Sequence, residues 1–529
     1  MRLIFYCLFV VGGYLAPWLA TAASGTALST ISVSALAQHP QWLRLLHYER
    51  RFDLPLEIGG YRSAIISSEF FVSADGQIDP LAELHATLKS FATPIAGSPD
   101  EHALCKFPAR YQWLRSQGAL AKLSIPTLQC SQFQAWAGAA PIESISLVYV
   151  TGYLGNPASY YGHVLLKLNS PAAERRPLLD STLNYGAIIP DNENMVSYIA
   201  KGIFGGYSGG FTDNSYYYHN HNYGESELRD LWEYELNLTS QQTSLVVAHS
   251  WELLGKKYQY FFFDRNCAYR MSKLLEIATD TRLTSATPLL SFPQTITLQL
   301  AEMTANGGSL IKKLGLHPSR QRRLYSKFGD LSAIEKVVFL ETARDVDRLN
   351  SANFKQLAEG DQQRVVETLL DYRQFTRLAS REQTETDSRD YQQLLSKRFA
   401  LPATTEWQSQ PPSAFPHQGR KPSMLRIGAI YHQRKGDGLS IRLRPAYYDA
   451  LDAGPAHVAH SGLAMGEIEL ESFNGGFSLK RAEVVKISSV GQAITGLPGD
   501  NGKVWRLRGG VERQNLSCSS CLAAYLEAI

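Results

Sequence analysis

One cysteine and one histidine in this 529-residue chain have the type and setting that thiol chemistry needs. Cys267 lies in FFFDRNCAYRMSKLLE, where an extended apolar run and Asp-Arg-Asn precede a helical pattern, so the thiol is predicted at a helix N-terminus. Unpaired N–H groups there stabilise a thiolate, and we therefore expect a lowered thiol pKa and a reactive nucleophile. The alternative is a buried inert cysteine, because free cysteine often packs as a small apolar residue.

A cysteine nucleophile needs a base, and His163 in the predicted strand YYGHVLLKLN is the candidate. Gly162 leaves room for a close approach beside the imidazole ring. Nucleophile and base are usually adjacent in space and distant in sequence, which suits a strand histidine and a helix-start cysteine. The alternative is a core histidine whose ring bonds to a backbone carbonyl.

The first 22 residues have the pattern of an export signal. They contain a charged start, an apolar run and a small-residue end, so we expect their removal together with Cys7. A retained membrane anchor is the alternative, but the apolar run is short for a span. The mature protein is thus expected in an oxidising periplasmic or envelope compartment, in solution or attached peripherally to a membrane.

The remaining cysteines form two local pairs and one leftover. Cys105 and Cys130 flank a helical segment, while Cys518 and Cys521 form a Cys-x-x-Cys motif. Each pair is expected to close a disulfide. Cys267 is then the unpaired thiol.

Charge and ligand patterns exclude several function classes. The chain has 52 Lys and Arg against 49 Asp and Glu, with no basic block, so no nucleic-acid partner is predicted. His219-x-His221 lacks a cysteine or carboxylate at ligand spacing, so no metal and no cofactor is predicted.

Changes of pattern along the chain divide it into regions. Residues 144–187 contain β-rich runs bounded by Gly, Asn and Pro, whereas residues 290–400 show mostly helical spacing. We predict an α+β fold with these parts: a signal peptide at 1–22, an N-terminal α+β accessory domain at 23–140, a site domain at 141–290, a helical region at 291–400, a linker at 401–423 and an antiparallel β domain at 424–529, complete or part of a barrel.

Local signals predict individual elements in these parts. SSEFFVSADGQID, residues 67–79, is predicted as a strand that enters an Asp-Gly turn. PLAELHATLKSF, residues 80–91, is predicted as a helix with proline at its start. Thr239 to Gln242 has the capping-box pattern of a helix start.

An aromatic segment from Ile203 to Glu225, IFGGYSGGFTDNSYYYHNHNYGE, is predicted as a mobile Gly/Tyr-rich loop. Its aromatic side chains could cover an acyl chain or contact a membrane interface, or could simply pack on the domain. The predicted substrate-contacting residues, in this segment and in nearby strands, are Tyr161, Tyr185, Tyr207, Phe211 and Tyr223.

Four segments in the same order, GHVLLKL, TLNYGA, RDLWEYELNLT and FFFDRNCAYRMSKLLE, resemble the periplasmic domain family typified by the N-terminal domain of the lipoprotein N-acyltransferase Lnb. The resemblance covers about residues 140 to 290. The order of histidine and cysteine is also similar to circularly permuted papain-like enzymes, including the lecithin–retinol acyltransferase group. This resemblance implies that residues 141–290 form a permuted papain-like catalytic domain.

The resemblance implies roles for three residues. Cys267 would be the nucleophile, His163 the general base, and Asn184 the group that orients the imidazole. Asp180, Thr182 or a backbone carbonyl could take the place of Asn184, because strand register is not known from sequence.

The leading hypothesis is an envelope cysteine acyltransferase or thiol hydrolase that acts on lipoprotein or lipid-linked substrates through a thioester. A cell-wall amidase or peptidase is the first alternative. The second is a non-catalytic scaffold whose β domain docks at the outer membrane. The acyl acceptor, amine or water, stays open at this point.

Overall fold

A computed structural model describes most of the chain, and its mixed helices and antiparallel sheets confirm the α+β class. The predicted signal peptide, Cys518 and residues 403–411 of the predicted linker lie outside the described residues. The described ranges are 32–53, 57–138, 141–156, 159–171, 176–279, 281–284, 290–379, 385–402, 412–452, 454–500, 502–514 and 521–529.

The N-terminal part of the described chain is mainly helical. Its elements are α1 Val33–Ala37, α2 Pro40–Leu45, β1 Tyr48–Asp53, β2 Glu57–Ser63, α3 Pro80–Phe91, α4 Ala103–Lys106, α5 Pro108–Ser116 and α6 Ser131–Ala137. The α3 prediction is confirmed, since Asp79 caps the helix by accepting the N–H groups of Leu81 and Ala82. The strand predicted at 67–79 is wrong: Ser68–Phe70 is a 3-10 turn, and the buried Glu83 carboxylate binds the N–H groups of Val72 and Ser73.

The central part forms a seven-stranded antiparallel sheet with helices around it. Its elements are β3 Ser144–Val150, β4 His163–Asn169, β5 Ser181–Ala187, α7 Met195–Phe204, β6 Tyr207–Ser215, α8 Tyr216–His219, β7 Leu231–Leu236, α9 Ser240–Leu253, β8 Lys257–Tyr260, α10 Cys267–Leu275, α11 Pro293–Glu302, the short pair β9 Thr304–Ala305 and β10 Gly308–Ser309, and β11 Ile311–His317. The strand order is β11-β7-β3-β4-β5-β6-β8. We call this the site sheet. Its strand β11 comes from the stretch with mostly helical spacing, so that region is not helical throughout.

Both faces of the site sheet are covered. Leu147 and Leu166 lie on one face in a core that continues into the N-terminal part, where Trp42 and Phe70 belong to the same cluster. Val148 and Leu165 lie on the other face with Tyr216 and Leu231. The sheet therefore sits between two apolar layers, and polar groups at its edge are partly shielded from water.

A helical region and a second sheet complete the described chain. The helices are α12 Arg320–Asp330, α13 Ala333–Arg344, α14 Ala352–Lys355, α15 Glu359–Ala379 and α16 Glu385–Phe399. The C-terminal sheet is antiparallel, in the order β12-β13-β15-β16-β17-β18 with β14 paired to β15. Its strands are β12 Met424–His432, β13 Gly436–Arg444, β14 Ala446–Tyr448, β15 Ser461–Phe473, β16 Gly476–Val490, β17 Val504–Arg513 and β18 Leu522–Ala528.

The cysteines are arranged as follows. Cys105 and Cys130 form the predicted disulfide, with Cα atoms 5.2 Å apart. Cys521 is disulfide-bonded, but the predicted partner Cys518 lies outside the described residues, so that pairing stays a prediction. Cys267 is a free thiol. Within the described ranges, no helix has the length and apolar character that crossing a bilayer requires.

Candidate functional site

Cys267 is the first residue of α10, as predicted, and its position is held by the residue before it. The Asn266 side chain caps the helix by accepting the N–H group of Tyr269. Its amide nitrogen donates to the carbonyl oxygens of Phe262 at 2.9 Å and Ser291 at 2.7 Å. Asn266 therefore anchors the turn that presents the thiol.

His163 begins β4, and its ring is oriented by Asn184 on the neighbouring strand β5. The distance from His163 Nε2 to Asn184 Oδ1 is 2.6 Å. An amide oxygen can only accept a hydrogen bond, so Nε2 carries the proton and Nδ1 is left as a proton acceptor. Of the alternatives to Asn184, Asp180 instead bonds to Ser170, and the Thr182 hydroxyl donates to the carbonyl of Asn214.

The fold brings Cys267 to the strand that carries His163. Helix α10 packs against β4 and β5. The backbone N–H of Val164, the residue after His163, interacts with the Cys267 sulfur, as do the N–H groups of Ala268 and of Cys267 itself. Close approach at this end of β4 depends on Gly162, which has a φ of +92°, because a Cβ there would lie 2.6 Å from the carbonyl oxygen of Val150.

The expected lowering of the thiol pKa is wrong. Cys267 is only 6% exposed, and burial raises its pKa to about 11, although the three N–H groups and Arg229 oppose the shift. Burial likewise lowers the pKa of His163 to about 4, although the hydrogen bond that His163 donates to Asn184 opposes the shift. At neutral pH the site thus holds a neutral thiol and a neutral imidazole, because the apolar layers disfavour both charges.

Arg229 is a functional candidate that the sequence analysis missed. It is 2% exposed, its Nε donates to the Thr151 carbonyl, and Nη1 pairs with Glu227 at 2.7 Å. Its Nη2 has no hydrogen-bond partner among the described residues. Its charge acts on the pKa of both Cys267 and His163, which makes it a buried donor close to the candidate site.

Tyr223 joins these groups from the π-helical turn Asn220–Ser226. The Arg229 guanidinium lies 4.9 Å from the centroid of the Tyr223 ring, and the His163 ring lies 5.9 Å from it. The His219 ring also stacks on Tyr223, with the ring centroids 5.8 Å apart, and burial lowers the pKa of His219 to about 4. The Nε2 of His219 is buried and finds no partner in the part of the chain that the structure describes.

Three family models match parts of the chain. Residues 132–301 match the Lnb N-terminal periplasmic domain. This region is an Lnb-type domain. Residues 34–117 and 413–528 match two families that are each described as a domain of unknown function, DUF7843 and DUF7840. No curated protein and no solved structure matches the chain.

The match confirms the family resemblance that the four segments indicated. Because the Lnb-type domain is a periplasmic domain, it also supports the predicted periplasmic or envelope location. The chain is therefore an envelope protein.

The aromatic segment of the Lnb-type domain is not a mobile loop. Its glycine-rich part is strand β6, which pairs with β5 and β8. A Cβ on Gly209 would lie 2.5 Å from the Tyr185 hydroxyl oxygen, so this glycine makes room for a buried ring. The Gly/Tyr-rich composition of this segment is typical of a loop, and composition alone does not show which strands pair.

The predicted substrate-contacting residues are spread over the Lnb-type domain. Tyr185 is buried against Phe211 and Tyr258, and its pKa is affected by the nearby Cys267. Tyr207 and Phe211 are buried in the same core. Tyr161 packs instead against Phe292 and Tyr448, toward the C-terminal sheet. Only Tyr223 and Tyr185 thus lie near the Cys267 and His163 groups.

The N-terminal part of the chain contacts the helix that carries Cys267. Glu49 on β1 accepts the Tyr269 hydroxyl at 3.1 Å and pairs with Arg265 at 3.5 Å and Arg270 at 3.8 Å. All three partners lie in or just before α10. The N-terminal part therefore helps to orient the Cys267 helix of the Lnb-type domain.

Proposed function

We propose that the Lnb-type domain transfers an acyl group through a thioester on Cys267, with His163 as general base and Asn184 as the residue that orients it. The proposal depends most on the His163–Asn184 hydrogen bond of 2.6 Å, because it leaves Nδ1 free to accept a proton. The strand that carries His163 is the one whose Val164 N–H contacts the Cys267 sulfur. Nucleophilic catalysis needs a thiol, a base and a third group that orients the base.

The reaction starts from a neutral thiol and a neutral imidazole. The sulfur attacks the carbonyl carbon of an ester while the thiol proton passes to His163 Nδ1. When the tetrahedral intermediate collapses, the C–O bond breaks and the imidazolium returns the proton to the departing oxygen. Attack of an amine on the thioester then forms an amide and regenerates the thiol, whereas attack of water makes the domain a hydrolase.

Buried donors support the charge that develops on the carbonyl oxygen. The N–H groups of Cys267 and Ala268 already favour negative charge at the sulfur. Arg229 Nη2 is a further donor that is unpaired within the described chain. Fixed donors in a water-poor site stabilise an oxyanion strongly because they need no reorganisation.

A long acyl chain suits the exposed apolar side chains on elements that contact α10 or the segment before it. Helix α7 packs on the segment before Cys267, where the Phe262 N–H donates to the Gly202 carbonyl at 2.8 Å. Phe204 at the end of α7 is 81% exposed, and Ile188 after β5 is 55% exposed. This apolar surface favours a phospholipid or lipoprotein donor over a cell-wall peptide.

The proposed fold relation is a permuted papain-like core. It is supported by the packing of α10 on an antiparallel sheet and by the order of His163 before Cys267 in sequence. An experimental structure that superposes on papain-like enzymes with sulfur and imidazole matched would support it. A superposition that separates the two groups would reject it.

Acyl trapping tests the function. The protein is incubated with phospholipid vesicles and an amine-bearing lipopeptide, and the peptide that contains Cys267 is analysed by mass spectrometry. We expect an acyl mass on Cys267 and acylated lipopeptide as product, with neither in Cys267→Ala. Release of stem peptides from purified cell wall without acylation would replace the proposal with an amidase, and failure of both reactions would favour a scaffold.

A further inference from the structure

The C-terminal sheet carries a continuous apolar surface on one face. Directly paired residues on adjacent antiparallel strands share a face, so the register defines cross-strand rows. One row crosses six strands and is apolar throughout: Leu425, Leu443, Ile468, Ala482, Val511 and Ala524. The next row on the same face is Ile427, Ile441, Leu470 and Leu479, and the third is Ala429, Leu439, Ser472 and Phe477. We call these three rows the apolar face.

The opposite face of the same sheet is ionic, and its central carboxylates Glu467 and Glu469 are buried, whereas Arg426 at the edge strand is exposed. The row adjacent to the first one reads Arg426, Arg442, Glu469, Arg481 and Glu512 on successive strands. Next to it, Glu467 is fully buried and lies 2.7 Å from Arg442 and 3.0 Å from Arg444. The sheet therefore turns its charges inward and its apolar side chains outward, the reverse of the usual arrangement in water.

The apolar face is exposed and large. Leu425 is 63% exposed, Ile427 is 64% exposed and Phe477 is 57% exposed. Four strands spaced by roughly 4.8 Å and three rows spread over about 14 Å give a patch on the order of 250 Å², and the first row extends it across two further strands. Contiguous exposed patches of this size commonly mark a site of interaction with protein, ligand or membrane.

The chemistry of the apolar face fits lipid better than protein. A protein interface includes about one hydrogen bond per 100–200 Å², yet Ser472 is the one side chain of the three rows that can form one. At one end of the face lie Tyr431, which is 74% exposed, and the turn that carries the exposed Arg434 and Lys435. Aromatic and basic residues beside an apolar surface suit the head groups of an anionic bilayer.

We propose that the apolar face lies on a membrane that contains anionic lipid. Leu425, Ile427 and Leu443 enter the hydrocarbon boundary, and Arg434 and Lys435 contact the head groups. A periplasmic location supplies such a surface on both sides of the protein. This inference does not depend on Cys267 chemistry.

Vesicle flotation tests the apolar contact with the protein purified after export. The vesicles are phosphatidylcholine, alone or mixed with phosphatidylglycerol. We expect wild type to float with the mixed vesicles, and Leu425→Ser/Ile427→Ser/Leu443→Ser to lose binding by about tenfold or more. The matched control is Ile334→Ser/Val337→Ser, which changes exposed apolar residues of α13 and is expected to float like wild type.

Charge reversal tests the head-group contact in an exposed turn that tolerates substitution. Arg434→Glu/Lys435→Glu should weaken binding to the phosphatidylglycerol vesicles and leave binding to phosphatidylcholine unchanged. If the serine variant has a lower melting temperature than wild type, the charge-reversal variant still tests membrane binding in a folded protein. The proposal fails if wild type does not float, if the serine variant and charge reversal both float like wild type, or if sedimentation shows a dimer that the serine variant dissociates.

Discussion

The site sheet has apolar side chains buried on both of its faces, whereas the C-terminal sheet buries charged side chains on one face and exposes apolar side chains on the other. In the site sheet, Leu166 and Leu165 are fully buried on opposite faces. In the C-terminal sheet, Glu467 is fully buried, while Leu425 and Ile427 are more than half exposed. An antiparallel backbone thus sets no rule about which face is apolar, and the alternation of side chains together with the surroundings decides it.

The difference has chemical consequences. The site sheet also buries ion pairs of Lys167 with Glu233 and Asp180. At His163 and Cys267, however, burial dominates and moves their pKa values to about 4 and about 11. In the C-terminal sheet, the Glu469 carboxylate is also partly buried, but Arg481 and Lys480 outweigh that burial and hold its pKa below the usual value. His163 and Cys267 are therefore neutral because burial outweighs their partners, whereas Glu469 keeps its charge because its partners outweigh burial.

The largest expected effect is the loss of the thiol. Cys267→Ala should lower acyl transfer by roughly 10⁴-fold or more, because no other group can form the thioester. Cys267→Ser is the matched control for size and should be nearly as inactive, since a hydroxyl is a poorer nucleophile here. Turnover assays with melting curves measure both, and wild-type turnover in the alanine variant would refute the mechanism.

Loss of the base should be the next largest effect. His163→Gln should slow acyl transfer by about 10²–10⁴-fold, the usual contribution of general acid–base catalysis.

Because both groups are neutral in the resting site, native Cys267 should react with iodoacetamide slowly at pH 7 and faster as the pH approaches about 11. Alkylation rates against pH measure this, and a plateau already reached at pH 7 would show a thiolate instead.

Removing one charge from the C-terminal sheet sharpens the comparison between the sheets. Glu467→Leu should lower the free energy of unfolding by about 3–5 kcal/mol, because Arg442 would lose the carboxylate that it pairs with and Arg444 would keep only Asp449. Leu166→Ala in the site sheet should cost about 2–5 kcal/mol through an apolar cavity. Urea unfolding measures both changes. If Glu467→Leu leaves the free energy of unfolding unchanged, the ionic face does not contribute to stability through this residue.

The site sheet should also lose stability in mild acid. Folding lowers the pKa of His163 and His219 to about 4, so the unfolded chain binds protons more strongly between about pH 6.5 and 4. Their contribution is complete above pH 6.5 and is lost as the pH falls toward 4. Urea unfolding of wild type and His219→Gln at several pH values measures the effect. An equal dependence of the free energy of unfolding on pH in the two proteins would contradict it.

The smallest effect is expected on the apolar face. Ile427→Ser should change the free energy of unfolding by less than about 0.5 kcal/mol, because the side chain is already largely in water. Leu166→Ser, at a fully buried position, should lower the free energy of unfolding far more. Melting curves of the two variants compare the sheets directly, and a large loss at Ile427 would mean that this face packs on protein.

Several elements could be predicted because their signals are local. The start of α3 at Pro80 and the capping box of Thr239 and Gln242 at α9 both depend on neighbouring residues alone. The positions of His163 in β4 and Cys267 at the start of α10 followed from the same kind of pattern. Their roles in catalysis remain a proposal.

Other features depend on residues that are distant in sequence. Composition predicts a loop at strand β6, because it does not show that Gly209 makes room for Tyr185 and Tyr260 on neighbouring strands. Arg229 was missed because it meets His163 only when β7 and β4 both pair with β3. The sequence did offer one indication of Arg229: it is a charged residue that directly precedes the predicted strand in RDLWEYELNLT.

The sequence by itself determined the α+β class, the Cys105–Cys130 pairing and the helix start at Cys267, because spacing, capping and chain proximity act over short distances. Only the tertiary structure decided the charge state at the site. A helix N-terminus alone would favour a thiolate, but the apolar layers around Cys267 and His163 remove water from both groups. Desolvation then outweighs the local N–H groups, and that balance is a property of the assembled core.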